Sequence, residues 1–198
     1  MNSARLEAFT DGVIAIIITI MVLEIHVPQG RDLAALKADV PVLLAYVLSY
    51  VNVGIFWNNH HHMLHITERV DGRVLWANLG LLFWLTLVPF VIRWIDESGF
   101  TAAPVAAYGV VLSCAAIGYS ILERTIIAVN GGPDSRLAAA LGTDAKGWVS
   151  ILLYLLGIVM AFIQPWVSIA LYIAVALMWL VPDRRIERAL PSKGGETA

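Results

Sequence analysis

ARLEAFTDGVIAIIITIMVLEI, running from Ala4 to Ile25, is an apolar stretch with Arg5, Phe9, Thr10 and Asp11 packed into its entry. About 20 apolar residues cross the hydrocarbon core of a bilayer as a helix, and this run is long enough. A carboxylate just inside such a span is costly, so it has a partner and a task. At about 100° per residue, Phe9, Gly12, Ile16, Thr19, Ile20 and Leu23 share an arc about 100° wide, and Asp11 lies about 140° away from Ile16. The apolar stripe and the carboxylate therefore face different neighbours. A stripe that faces a central axis leaves Asp11 facing the other helices of its own subunit.

The rest of the chain agrees with a membrane location. Hydrophobic residues make up 59% of the 198 residues and charged residues only 14%, where about a quarter charged is usual for soluble domains. Mean hydropathy is +0.77. Long apolar runs favour helices, which satisfy their own backbone in lipid. The sequence predicts an all-α integral membrane protein with six spans, at residues 5–26, 41–64, 74–95, 102–126, 147–164 and 166–182. Only Gln164-Pro165 separates the last two. If that pair were a kink rather than a turn, the count would fall to five.

One transmembrane domain over 1–183 and a short polar tail over 184–198 are expected. No small-residue cleavage site precedes His26-Val27-Pro28, so a cleaved signal peptide is a poor reading of the first span. The single cysteine, Cys114, excludes an intrachain disulfide.

With the N-terminus inside, only Arg31, Lys37 and Arg93 of the 13 Lys and Arg residues fall on the opposite face. That bias predicts cytoplasmic termini. The net charge of −2 argues against nucleic-acid binding.

Asp11 has candidate partners at its own depth. The second span ends in Trp57-Asn58-Asn59-His60-His61-His62-Met63-Leu64-His65, and the third starts on the same side through Arg73, Trp76 and Asn78. Histidine, asparagine and the indole N–H supply donors for a buried carboxylate. Trp57, Trp76, Trp94, Trp148 and Trp166 sit near span ends, where such residues commonly anchor the interface. Gly118 and Gly157 suit close helix approach.

Arg5, Phe9, Thr10 and Asp11 resemble the Arg-x-x-x-Phe-Ser-Asp signature of the transmembrane-protein-175 potassium channels, whose animal members serve endosomes and lysosomes. The run Ile16–Leu23, the Trp/Asn/His end of the second span and Leu87-Val88-Pro89-Phe90 extend the likeness, which is strongest over the first three spans. Thr10 stands where Ser is usual, and Ala15 where a small polar residue can occur. The resemblance implies six-helix subunits around a pore lined by the first helix. Animal members carry two such repeats; one repeat, as here, resembles the bacterial form, a homotetramer in the plasma (inner) membrane. It puts the hydrophobic constriction on Ile16, a hydroxyl layer on Thr19 and further apolar layers on Ile20 and Leu23.

The residues support that reading on physical grounds. No Thr-Val-Gly-Tyr-Gly filter loop occurs, so carbonyl coordination of that kind is absent. A ring of isoleucines offers an ion no ligands, which penalises Na⁺ more than K⁺ because K⁺ holds its water less tightly. Thr19 would replace part of the lost water, and Glu24 at the outer mouth would concentrate cations. Arg5, Phe9, Thr10 and Asp11, with Trp57, Asn58, His60, His61 and Asn78, would form a structural or gating network. Potassium is the permeant ion, and no cofactor or bound metal is expected. The bland reading of an isoleucine face is lipid contact or packing. A different class, a proton-coupled or metal-cation transporter, would use Asp11 and the His60–His65 cluster, where His61 and His65 have the i, i+4 spacing of a metal pair. A membrane enzyme or haem protein has less support: there is no dense set of catalytic groups within the spans.

Overall fold

The computed structural model describes residues 3–27, 30, 33–135, 138–139 and 145–180. Seven α-helices form there: α1 Ser3–Leu23, α2 Leu33–His65, α3 Gly72–Thr86, α4 Val88–Ser98, α5 Ala102–Val129, α6 Ala145–Ala161 and α7 Pro165–Leu180. A 3₁₀ turn over Gly132–Asp134 lies in the long loop after α5. Helices α3 and α4 together make one apolar rod, Gly72–Ser98. The six predicted spans are therefore six rods, four of them long and apolar enough to cross a bilayer and two shorter. The tail predicted over 184–198 lies outside the described residues.

Local chemistry sets the boundaries. Asp71 caps α3 by accepting from the Arg73 and Val74 amides at 2.9 and 3.1 Å. The Val74 amide first, then the Arg73 side chain, hold its carboxyl below the ordinary range. Pro89 has no N–H for the preceding turn, and its ring crowds the carbonyl four residues back. The third rod breaks at Leu87, where the Leu87 amide tightens onto Trp84 O at 3.2 Å. The Thr86 hydroxyl donates to Phe83 O at 2.7 Å, the kind of local repair that lets proline sit within a span. The third predicted span is thus two helices. Gln164-Pro165 makes a true turn: the Gln164 amide closes on Met160 O at 2.7 Å, and α7 begins at Pro165.

The core is organised around α5. Of its apolar window 56% is buried inside the subunit, against 28% for α1. Helix α5 packs on α3, α4, α6 and α7, so the later spans hold the centre of the subunit. Close approach depends on small residues. A Cβ on Gly118 would sit 3.2 Å from the Leu81 backbone, and one on Gly157 would fall 2.4 Å from the Tyr172 ring. Both glycines do what the sequence suggested. Tyr172 also fills the space above Gly109, where a Cβ would come within 2.1 Å of its hydroxyl.

Among the described residues, buried side-chain polar atoms are paired except His60 Nδ1 and Ser113 Oγ, as hydrocarbon surroundings favour. The Tyr108 hydroxyl accepts from Ser49 Oγ at 2.9 Å and Asn52 Nδ2 at 3.4 Å. Ser168 donates to Gly157 O at 2.7 Å. At one end Asn130 receives the Arg69 amide at 2.8 Å and donates to Arg69 O at 3.1 Å, tying the α2–α3 loop to the end of α5. Substituting Gly157→Ala should cost about 1–3 kcal/mol by overpacking against Tyr172. The check is a lowered thermal midpoint in detergent; an unchanged midpoint would mean that Tyr172 has room to move.

Candidate functional site

Helix α1 has two faces of different character. Leu6, Thr10, Ile14, Ile17 and Met21 are buried against the subunit. Ile16 is 58% exposed beside Ile17 at 2%, and Leu23 is 78% exposed. Phe9, Thr19 and Ile20 are exposed as well. The predicted stripe is therefore the face that the subunit's own helices leave uncovered. The Thr19 hydroxyl donates back to Ile16 O at 2.9 Å.

The other face is tied down by polar contacts. Trp57 Nε1 donates to Asp11 Oδ1 at 2.8 Å, so Trp57 holds α1 in addition to any interfacial anchoring. Asn78 Nδ2 donates to Thr10 Oγ1 at 3.0 Å. The Asn78 carbonyl then accepts from His60 Nε2 at 2.8 Å. Thr10, Asn78 and His60 are all buried, so this chain crosslinks three rods where no water competes. That geometry fixes the His60 proton on Nε2 and leaves its buried Nδ1 with no hydrogen-bond partner.

Asn78 and His60 meet α1 through Thr10, whereas Asp11 is held by Trp57. His61 Nδ1 donates to Glu7 Oε1 at 2.6 Å. Glu7 is the residue that the sequence reading missed. Its signal was spacing: Glu7 and Asp11 are four apart on α1, and they oppose Trp57 and His61, four apart on α2. The rings of Trp57, His61 and His65 stack in a column with centroids 6.0 and 6.2 Å apart.

Not every expected member joins. Arg5 is exposed and makes no ion pair among the described residues. Asn58 is half-buried and makes no hydrogen bond to α1 there. Among the described residues no group of three or more His, Cys, Asp or Glu side chains could hold a metal ion.

At the opposite end of α1, Glu24 is not a free carboxylate. Arg93 Nη1 donates to Glu24 Oε2 at 2.8 Å, and Arg93 Nε donates to Glu97 Oε1 at 2.9 Å. His26 Nδ1 lies 2.5 Å from Asp96 Oδ2. Its hydrogen bond to Asp96, then the carboxylate charge, raises the His26 pKa above 6.5. An open groove beside this end is lined by Ile16 and Ile20 of α1, by Glu24 just after it, and by Phe90, Arg93 and Glu97 of α4.

A helical bundle that exposes an isoleucine stripe on its first helix, and pins the opposite face through Thr10 and Asp11, defines a multi-pass integral membrane protein. The sequence over residues 5–89 matches the family model described as "Endosomal/lysosomal potassium channel TMEM175". A potassium channel of a Chryseobacterium species is 50% identical over 190 residues, covering 96% of this chain and 98% of that protein. A potassium channel of Streptomyces collinus is 32% identical over 204 residues, covering 96% and 99%. The crystal structure of a lysosomal potassium-selective channel TMEM175 homologue from Chamaesiphon minutus superposes with a TM-score of 0.78 at 26% identity, covering 96% of this chain and 98% of that one. The chain belongs to the TMEM175 family. These relatives are ion channels, so the enzyme reading falls away.

Two tests follow from the geometry. Asn78→Ala strands the buried Thr10 and His60 together and should cost about 1–3 kcal/mol, more than Trp57→Phe, which removes one donor from a partly exposed carboxylate. Thermal denaturation of both variants checks the order; the reverse order would deny the Thr10–Asn78–His60 chain its crosslinking role. A raised His26 pKa stabilises the fold when the ring is protonated, fully below the ordinary value and lost as pH rises through the folded value. The thermal advantage of wild type over Asp96→Asn should therefore be larger at about pH 5.5 than at about pH 8.5. An advantage that grows with pH would contradict the pairing.

Proposed function

We propose that this chain is a potassium channel of bacterial plasma (inner) membrane, passing K⁺ passively along the axis of a homotetramer. The observation that carries the reading is the uncovered stripe of α1 on a helix otherwise fastened to its subunit. One subunit supplies one such stripe, so a closed conduit needs several copies about an axis. The naming of the Chryseobacterium and Streptomyces collinus relatives as potassium channels supports K⁺ as the permeant ion.

In this reading Ile16 forms the narrowest ring and Ile20 and Leu23 form further apolar layers. An ion sheds water at Ile16, which favours the more weakly hydrated K⁺. Thr19 sits one turn away, and its hydrogen is already engaged by Ile16 O. Its lone pairs are left to replace part of the lost hydration. Glu7, Thr10 and Asp11, with Trp57, His60, His61 and Asn78, hold α1 and transmit motion to it. Arg5, Phe9 and Asn58 stand at the edge of that network. A single channel domain over 1–183 with a polar tail from 184, and termini in the cytoplasm, completes the proposal.

The transporter alternative is weaker. His61 is engaged by Glu7 and sandwiched between Trp57 and His65, and Asp11 is engaged by Trp57.

Reversal potentials in a K⁺/Na⁺ gradient test the reading. Ile16→Asn should wet the constriction and bring the K⁺/Na⁺ permeability ratio close to unity. Thr19→Val should lower the K⁺ preference with assembly intact. Unchanged selectivity in Ile16→Asn would remove that residue from the pore.

A further inference from the structure

From its place in the sequence, Glu24 is a carboxylate at the outer mouth that would raise the local cation concentration. The structure gives it a different setting. Arg93 comes from α4, 69 residues further along the chain, and grips Glu24 and Glu97 with two different nitrogens of one guanidinium. All three groups line the same open groove as Ile16 and Ile20. Their side chains stay partly open, at 52% for Arg93, 26% for Glu24 and 50% for Glu97. Asp96 is occupied by His26 instead and does not line the groove.

We propose that Arg93 is a conductance-setting residue, a fixed positive charge that holds the mouth of each subunit at one net negative charge where two carboxylates alone would give two. This inference rests on the channel reading above. An arginine suits the role because its guanidinium stays protonated at any physiological pH and its planar fork serves two carboxylates at once. Charge lining a cleft with low-dielectric walls changes the local cation concentration far more than charge on an open surface. Arg93 therefore restrains the accumulation of K⁺ at this mouth, and Glu97 promotes it. The Arg93–Glu24 pair also tethers the residue just after α1 to α4, so a purely mechanical role must be separable by experiment.

Salt dependence and the sign of the change separate the two roles. Purified protein is reconstituted in planar bilayers and single-channel K⁺ conductance is measured at about 0.05 M and about 1 M KCl, where the Debye length falls to about 3 Å. At low salt, Arg93→Gln should raise K⁺ current entering from this mouth by roughly twofold or more. Glu97→Gln keeps the Arg93–Glu24 contact and should lower that current by a similar factor. Both differences should vanish at high salt.

Loss of a mechanical tie would change Arg93→Gln and leave Glu97→Gln, which keeps that tie, at the wild-type conductance, or would leave a difference that persists at high salt; either result overturns the charge assignment. So does a low-salt conductance that neither variant changes. Wild-type protein without K⁺ current, or with current indifferent to Ile16→Asn, overturns the channel reading itself. Should Arg93→Gln fail to fold, Glu97→Gln alone decides by its sign and salt dependence.

Discussion

A polar side chain at the depth of the lipid tails has no water to turn to, and the arrangement of the first helix follows from that constraint. Thr10 is fully buried and finds Asn78; Asn78 in turn finds His60. The chain joins α1, α2 and α3 at one level and leaves little choice about how α1 may rotate. Once Thr10 points inward, helical geometry turns Ile16, Thr19, Ile20 and Leu23 outward. The buried hydroxyl and the exposed stripe are thus two results of one orientation.

The remaining helices support that orientation without taking part in it. Tyr172 lies against Gly157 and Gly109, so α5, α6 and α7 pack closely. The break at Leu87 lets the third rod serve two ends. Its α3 half delivers Asn78 to the buried chain, and its α4 half delivers Arg93 to the far end of α1. A straight helix would keep one fixed relation between those two residues; the proline allows each to meet its own partner.

Much of this was legible in the residues. The faces of α1 were readable because a helix repeats every 3.6 residues and polar groups in a span cannot point at random. The depth match between Asp11 and the Trp/Asn/His end of α2 was readable from topology. Which donor meets which acceptor was not, since several donors share that depth and side-chain reach decides among them. The central position of α5 was hidden for another reason. In a membrane protein the lipid-facing and core-facing residues are equally apolar, so Val110, which is exposed, and Val111, which is buried, look alike in the sequence. The Glu24–Arg93 pair joins residues far apart in the chain that no local pattern connects.

The back-bonded hydroxyl of Thr19 has one more consequence. Its hydrogen is given to the Ile16 carbonyl, so the side chain meets anything approaching the exposed face of α1 as an acceptor with no proton to donate. Chloride needs donors, and this hydroxyl offers it none. With isoleucine, valine and leucine around it, that face would, in the channel we propose, offer an approaching cation an oxygen and an anion no donor, a preference for charge sign on a surface that carries no charge.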